Sequence, residues 1–191
     1  MGSEMCIRDR SDTVAATSRS RVPWLLVNLG TAFISASVIS MFGATIEEMV
    51  ALAALMPIVA SLGGNAGTQT MTVTVRALAT RDLDIYNAGR VIRREVMVGM
   101  LNGMVIATIL GLVAGLWFHN PDLGLVIAAA MIVNMLAAAL GGILIPLFLD
   151  KLGADPAISS SIFTTMITDV IGFLAFLSLA TWWLHLGAGP S

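Results

Sequence analysis

The chain has 191 residues, of which 57% are hydrophobic and only 12% are charged, with a formal net charge of −2. Ordinary soluble domains carry roughly 25% charged residues, so this composition, with a mean hydropathy of +0.90, excludes a typical soluble protein and indicates an integral membrane protein. A single cysteine excludes an internal disulfide, and no basic stripe is present that would bind nucleic acid.

Five runs are long and apolar enough to cross a bilayer as helices, since one helical span needs about 20 residues. None of them alternates in the manner of a barrel strand. The sequence therefore predicts an all-α, polytopic membrane protein with five transmembrane helices per subunit. The predicted spans cover residues 22–46, 48–80, 91–118, 123–149 and 158–186.

The first ten residues, MGSEMCIRDR, match nothing else in the chain and are interpreted as a gene-assembly remnant, so they are excluded from functional reasoning. All ten Lys and Arg residues fall on one side of a five-span arrangement: four precede the first span, five flank the turn between the second and third spans, and one lies between the fourth and fifth. The positive-inside rule then predicts a cytoplasmic N-terminus and an extracytoplasmic C-terminus.

The second span carries an unusual polar segment, PIVASLGGNAGTQT, at residues 57–70. Its glycines have low helix propensity, which predicts a loosened turn with free carbonyl groups facing protein or a water-filled cavity. A close packing notch between helices is the alternative. We favour a functional segment because Asn65, Thr68 and Gln69 add side-chain oxygens that packing does not require.

Small residues recur in the third and fourth spans, where packing between helices is the favoured interpretation. They are Gly99 with Gly103, Gly111 with Gly115, and the Ala-rich residues 137–142. Two lone amides at mid-helix, Asn102 and Asn134, are expected to form hydrogen bonds between helices rather than to bind a ligand.

Asp169 lies near the middle of the fifth span, where an aspartate costs about 2.5 to 3.5 kcal/mol on insertion scales. No Lys or Arg lies at that depth in the other spans. Ser161 and Thr165 precede it at intervals of four residues and form one stripe with it, which is widened by Ser160, Thr164 and Thr168. Oxygen ligands of this kind suit a hard cation such as Mg²⁺, whereas a protonated aspartate bonded between helices is the structural alternative.

Residue counting places the two polar features at a similar depth. Asn65 lies eleven residues before Arg76 and Asp169 lies thirteen after Pro156, so at about 1.5 Å per residue each is roughly 16 to 20 Å from the cytoplasmic edge.

Two motifs together resemble the transmembrane domain of the MgtE family of magnesium channels and transporters: PxxxxxGGNAGTQ at residues 57–69 and DPAxxSxxFTTxxTD at residues 155–169. The resemblance covers roughly residues 21–186. It implies a homodimer with a cation pathway at the two-fold axis, lined by the second and fifth helices, and Mg²⁺ bound in the pore as the transported ion. It also implies a set of metal-binding residues, Asp169, Thr165 and Ser161, and of pore-lining residues, Gly64, Asn65, Thr68 and Gln69.

The resemblance divides the chain into residues 1–21 as a short cytoplasmic tail, residues 22–187 as a five-helix cation-transport domain, and residues 188–191 as an extracytoplasmic tail. Members of the family typically carry a cytoplasmic N-domain and paired CBS domains before the first span. The roughly twenty residues here are too few for them, so we expect either an excised or truncated membrane domain or a short form without that sensor, and cytoplasmic Mg²⁺ gating is not carried over to this chain.

The expected function is passive movement of hydrated Mg²⁺, and of other divalent cations, through a dimeric pore in the cell (inner) membrane, with lipid and a second copy as partners and no enzymatic activity. Proton- or sodium-coupled exchange of divalent cations is an alternative. An intramembrane protease or a non-transporting membrane subunit belongs to other classes, and an aspartyl protease needs a second carboxylate at the depth of Asp169.

Overall fold

The computed structural model describes residues 13–80, 85–153 and 156–185, and every regular element within them is an α-helix. Five of these helices, all except the second, are long and apolar enough to cross a membrane. The predicted all-α fold with five spans is therefore confirmed. The helices are α1 (Val14–Ser40), α2 (Gly43–Glu48), α3 (Ala51–Ala79), α4 (Ile85–Trp117), α5 (Pro121–Lys151) and α6 (Pro156–Trp183). Residues 1–10 and 188–191, predicted as remnant and outer tail, lie outside the described residues.

Helix α5 forms the centre of the bundle and packs against α3, α4 and α6. Its small residues let neighbouring backbones approach closely, and 61% of its most apolar stretch is buried inside the protein. Helix α1 packs mainly against α6, and residues 21–30 are all exposed. The fully buried side chains of Leu52, Ile127, Met131 and Phe176 place the core between α3, α5 and α6.

The first span differs from the prediction at both ends. Helix α1 begins at Val14, within the predicted tail, and ends at Ser40 instead of residue 46. The hydroxyl of Ser40 bonds back to the Ser37 carbonyl, which competes with helix continuation, and Phe42 leaves the helical region with φ −109° and ψ 23°. The residues predicted to complete the first span therefore form the separate short helix α2.

The predicted interruption of the second span is wrong, because α3 runs as one α-helix through both Pro57 and the glycine motif. The hydroxyl of Thr68 donates to the Gly64 carbonyl at 2.8 Å, within the same helix. Gly63 and Gly67 are buried against other helices. Tertiary packing thus outweighs the low helix propensity of glycine, which amounts to about 1 kcal/mol per residue.

The small residues of the third and fourth spans pack as predicted. A Cβ on Gly103 would lie 3.1 Å from the Cβ of Met135, and a Cβ on Gly111 would lie 2.8 Å from the Gly124 carbonyl oxygen. Both contacts join α4 to α5. Gly142, at the end of the Ala-rich stretch, instead meets the backbone of α3. The interpretation of these residues as packing surfaces is confirmed.

Candidate functional site

Helix α6 presents two different polar faces. Ser161 is exposed, and Thr165 and Asp169 are half-buried. These three residues follow one another at intervals of four, so they form one stripe that the other helices of the chain leave partly open. The structure therefore keeps together the three side chains predicted to bind metal.

The other Ser and Thr side chains of α6 do not widen this stripe. Ser160, Thr164 and Thr168 are 0% exposed. Each lies one position before a stripe residue, which turns it by about 100° around the helix and into the protein. The prediction that they extend the polar face is wrong, because that rotation buries all three side chains, and Thr164 and Thr168 lie against Gly67 of α3.

The buried face of α6 meets the glycine motif of α3. A Cβ on Gly67 would lie 2.7 Å from the Cγ2 methyl of Thr164 and 3.5 Å from the Cγ2 methyl of Thr168. The Thr168 hydroxyl donates to the Thr165 carbonyl at 2.9 Å, whereas the buried hydroxyl of Thr164 has no hydrogen-bond partner among the described residues. The helices thus meet through methyl groups and backbone at this point.

A second contact fixes the relative depth of the two helices. Gly63 of α3 and Gly172 of α6 both lie against the side chain of Asn134, while Gly67 lies against Thr164 and Thr168. Residues that come earlier in α3 thus lie level with residues that come later in α6, as expected for antiparallel helices. Interpolation between the two contacts places Asn65 at the level of Asp169, in agreement with the depth predicted by counting residues.

The four residues predicted to line a pore all lie on α3 but do not share one direction. Asn65, Thr68 and Gln69 are exposed, and Gly64 is half-buried with open space where a Cβ would be. Gln69 points instead toward α4 and lines a cleft of about 130 Å³ between α3, α4 and α5. The structure therefore brings Gln69 to a different side of α3 from Gly64 and Thr68.

The cleft contains polar residues that the sequence did not single out as a group. Glu95 and Asn102 lie seven residues apart on α4 and face Gln69 and Thr70 of α3. Asn102 is exposed, and its side chain forms no hydrogen bond with any described residue, so the expectation of an interhelical bond is not met there. Their spacing of seven residues, about two helical turns, could have indicated from the sequence that Glu95 and Asn102 share one face of α4.

The second lone amide, Asn134, does bond between helices. Its Nδ2 donates to the Val59 carbonyl of α3 at 2.8 Å, and its side chain is 0% exposed. The expectation for this residue is confirmed. Its contact with two glycines, one on α3 and one on α6, was not apparent from the sequence because the three positions are far apart in the chain.

Charge at the candidate site comes from a single carboxylate. Within residues 13–80, 85–153 and 156–185, no three His, Cys, Asp or Glu side chains are grouped so that they could hold a metal ion. The stripe adds the hydroxyl oxygens of Thr165 and Ser161 to the Asp169 carboxylate, and oxygen ligands suit hard cations rather than zinc or copper. The described part of the chain thus supplies an oxygen-lined face with one carboxylate.

Comparison with known proteins identifies close relatives of the chain. Residues 56–179 match the family model of MgtE, described as a divalent cation transporter. The magnesium transporter MgtE of Enterococcus faecalis is 36% identical over 179 residues, which is 94% of this chain and 40% of that protein. The magnesium transporters MgtE of Bacillus subtilis and Thermus thermophilus are 34% and 36% identical over 86% and 84% of this chain, and over 37% and 36% of their own lengths. The chain thus spans about two fifths of the length of these relatives.

Proposed function

This chain belongs to the MgtE family of divalent cation transporters, and from that membership we propose that it forms the membrane pore of a magnesium transporter. The observation that carries the proposal is the position of Asp169, a carboxylate in the middle of a membrane-spanning helix on a face left half open. A charged side chain at that depth is expensive and is retained where it contacts an ion or water.

A homodimer would complete the site. One subunit offers a single carboxylate, and a two-fold axis beside α6 brings a second Asp169 to the same place. Mg²⁺ loses its water reluctantly, so two carboxylates that contact its hydration shell would attract the ion without stripping it. The hydroxyls of Thr165 and Ser161 would contact the hydration shell of the ion at successive positions, one and two turns closer to the cytoplasm.

Helix α3 would form the second wall of the path. Asn65 lies at the level of Asp169, and Thr68 follows it one turn toward the cytoplasmic end. Gly64 leaves room beside them because no heavy atom lies within 4 Å of its absent Cβ. Gln69 would reach the path only from the neighbouring cleft, which makes it the weakest of the four assignments.

The orientation of the proposed pore and its contacts in the membrane are inferred from the distribution of Lys and Arg and from the exposed apolar side chains. The one-sided distribution of Lys and Arg supports a cytoplasmic N-terminus in the cell (inner) membrane. The exposed apolar side chains of α1 and α4 suit contact with lipid or with a second copy of the chain. The transported ion would enter and leave along the two-fold axis, driven by the membrane potential.

The proposal is tested by Mg²⁺ uptake into liposomes that contain the purified chain, with wild type, Asp169→Asn and Glu47→Gln compared at equal protein content. Glu47 is an exposed carboxylate in α2, away from the α6 stripe, and serves as the matched control. We expect uptake by wild type and Glu47→Gln and its loss in Asp169→Asn. Undiminished uptake in Asp169→Asn contradicts the assignment of the site.

The same liposomes separate passive permeation from coupled exchange. With a potassium diffusion potential and no pH or Na⁺ gradient, a channel moves Mg²⁺ toward the negative side. A proton or sodium exchanger instead moves Mg²⁺ when its own gradient is applied at zero potential. Uptake that requires such a gradient would contradict the passive mechanism.

A further inference from the structure

A fully buried amide joins the two helices that carry the proposed pore. Asn134 lies in the middle of α5, has no exposed surface, and donates a hydrogen bond of 2.8 Å from Nδ2 to the Val59 carbonyl of α3. Val59 is itself 0% exposed. The bond therefore forms in a dry interior, where it links α3 to α5 without competition from water.

Two glycines make room for this amide. A Cβ on Gly172 of α6 would lie 2.7 Å from Nδ2 of Asn134, and a Cβ on Gly63 of α3 would overlap the same amide group. Contacts under 3.0 Å force something to shift. Three helices thus meet on one side chain, and the meeting is possible only because two of them carry glycine there.

The amide also leaves one of its own atoms without a partner. Oδ1 of Asn134 is buried and accepts no hydrogen bond from the described residues. An unpaired buried acceptor is unfavourable, and an apolar side chain of the same shape would avoid it. Simple filling of space therefore does not account for an amide here, whereas the bond to α3 does.

The position of the amide connects it to the candidate site. Gly63 lies two residues before Asn65, and Gly172 lies three residues after Asp169, on an adjoining part of the same helix. We infer that Asn134 is a positioning residue that fixes the depth of Asn65 relative to Asp169 by holding α3 and α6 against one amide. This inference rests on the proposed function, since it assigns the alignment a role in ion handling.

Ion handling is measured first. Wild type, Asn134→Leu, Asn134→Ala and the control Asn28→Leu, an exposed amide on α1, are reconstituted in liposomes, and Mg²⁺ uptake is recorded against Mg²⁺ and Ca²⁺ concentration. We expect the half-saturating Mg²⁺ concentration to change by about fivefold in Asn134→Leu, the factor that corresponds to the net contribution of one hydrogen bond. The preference for Mg²⁺ over Ca²⁺ should fall in both Asn134 variants and stay unchanged in Asn28→Leu.

The close contact between Gly63 and the Asn134 amide is tested by thermal unfolding in detergent, a measurement that does not depend on transport. Gly63→Ala should lower the melting temperature in the wild-type background, because the new methyl overlaps the Asn134 amide. It should have little effect in the Asn134→Ala background, where that amide is absent. Gly30→Ala is the matched control, since a Cβ on Gly30 meets nothing within 4 Å.

Each outcome decides one question. Asn134 variants that lower only the amount of active protein, with unchanged half-saturation and ion preference, overturn the positioning role and leave a structural one. Equal effects of Gly63→Ala on the melting temperature in both backgrounds contradict the close contact between Gly63 and the Asn134 amide. A wild-type chain that moves no Mg²⁺ overturns the proposed function and, with it, the inference built on it.

Discussion

Gly67 of α3 and Thr164 of α6 are packed so closely that a Cβ on the glycine would lie 2.7 Å from the Cγ2 methyl of the threonine. The polar motif of the second span is therefore also a packing surface, with Gly63 and Gly67 turned inward and the amides of Asn65 and Gln69 exposed. The two interpretations of this segment describe opposite faces of one helix.

We expect Gly67→Ala to destabilise the protein, because the added methyl overpacks the contact between α3 and α6. Overpacking of this kind costs about 1 to 3 kcal/mol. Thermal unfolding in detergent measures the loss, and Thr164→Ser, which removes the opposing methyl, should restore stability in the double variant. An unaltered melting temperature in Gly67→Ala would show that the helices separate easily.

Two adjacent threonines on α6 should respond differently to the same change. Thr164→Val removes a buried hydroxyl that has no partner among the described residues, so stability should stay equal or rise by about 1 kcal/mol, with Mg²⁺ uptake unchanged. Thr165→Val alters the half-open stripe and should reduce uptake by about fivefold with little change in stability. Paired uptake and unfolding measurements would contradict the assignment of faces if the two variants exchanged these effects.

The hydroxyls of Thr45 and Thr181 lie 2.9 Å apart and attach α2 to α6. Because the Thr181 hydroxyl donates to the Leu177 carbonyl, Thr45 must be the donor of the pair. Thr181→Val should then cost about 1 to 3 kcal/mol, since it leaves the buried Thr45 hydroxyl without an acceptor, and Thr45→Val should cost less. Unfolding of both variants, with Thr108→Val as an exposed control, tests the order; equal losses would contradict the direction of the bond.

The orientation in the membrane is testable at the two ends of α5. In a Cys6→Ser background, Asp122→Cys should react with a membrane-impermeant maleimide added outside intact cells. Lys151→Cys should react only after the cells are opened, because about 29 residues of helix, roughly 43 Å, separate the two positions. The reverse labelling pattern would invert the assignment made from the positive-inside rule.

Hydropathy predicted the five spans because length and apolar composition are local properties, and a deep carboxylate such as Asp169 stands out against them. The helical period also identified the stripe that contains Thr165. It did not separate this stripe from Thr164, because one residue of rotation divides a buried face from an open one, and only tertiary contacts show which is which.

The errors have a similar origin. The glycines were expected to loosen α3 because propensity describes an isolated helix, whereas Gly63 is held against Asn134, 71 positions later in the chain. The short helix α2 was missed because its first four residues, 43–46, carry no charge and were predicted to extend α1. Its separation depends on the turn at Phe42, which hydropathy does not detect.

The most apolar helix of this protein is the one that its own neighbours cover most completely. On insertion scales a segment enters the bilayer according to its own apolar composition, apart from its later contacts with the other helices, and α5 has the highest mean hydropathy of the five candidate spans. Once the helices assemble, lipid no longer surrounds α5. Its alanines and glycines then form the surfaces against which α3, α4 and α6 pack closely. The sequence of α5 thus meets two successive requirements. Insertion into the bilayer requires apolar side chains, and close packing in the folded protein requires small ones.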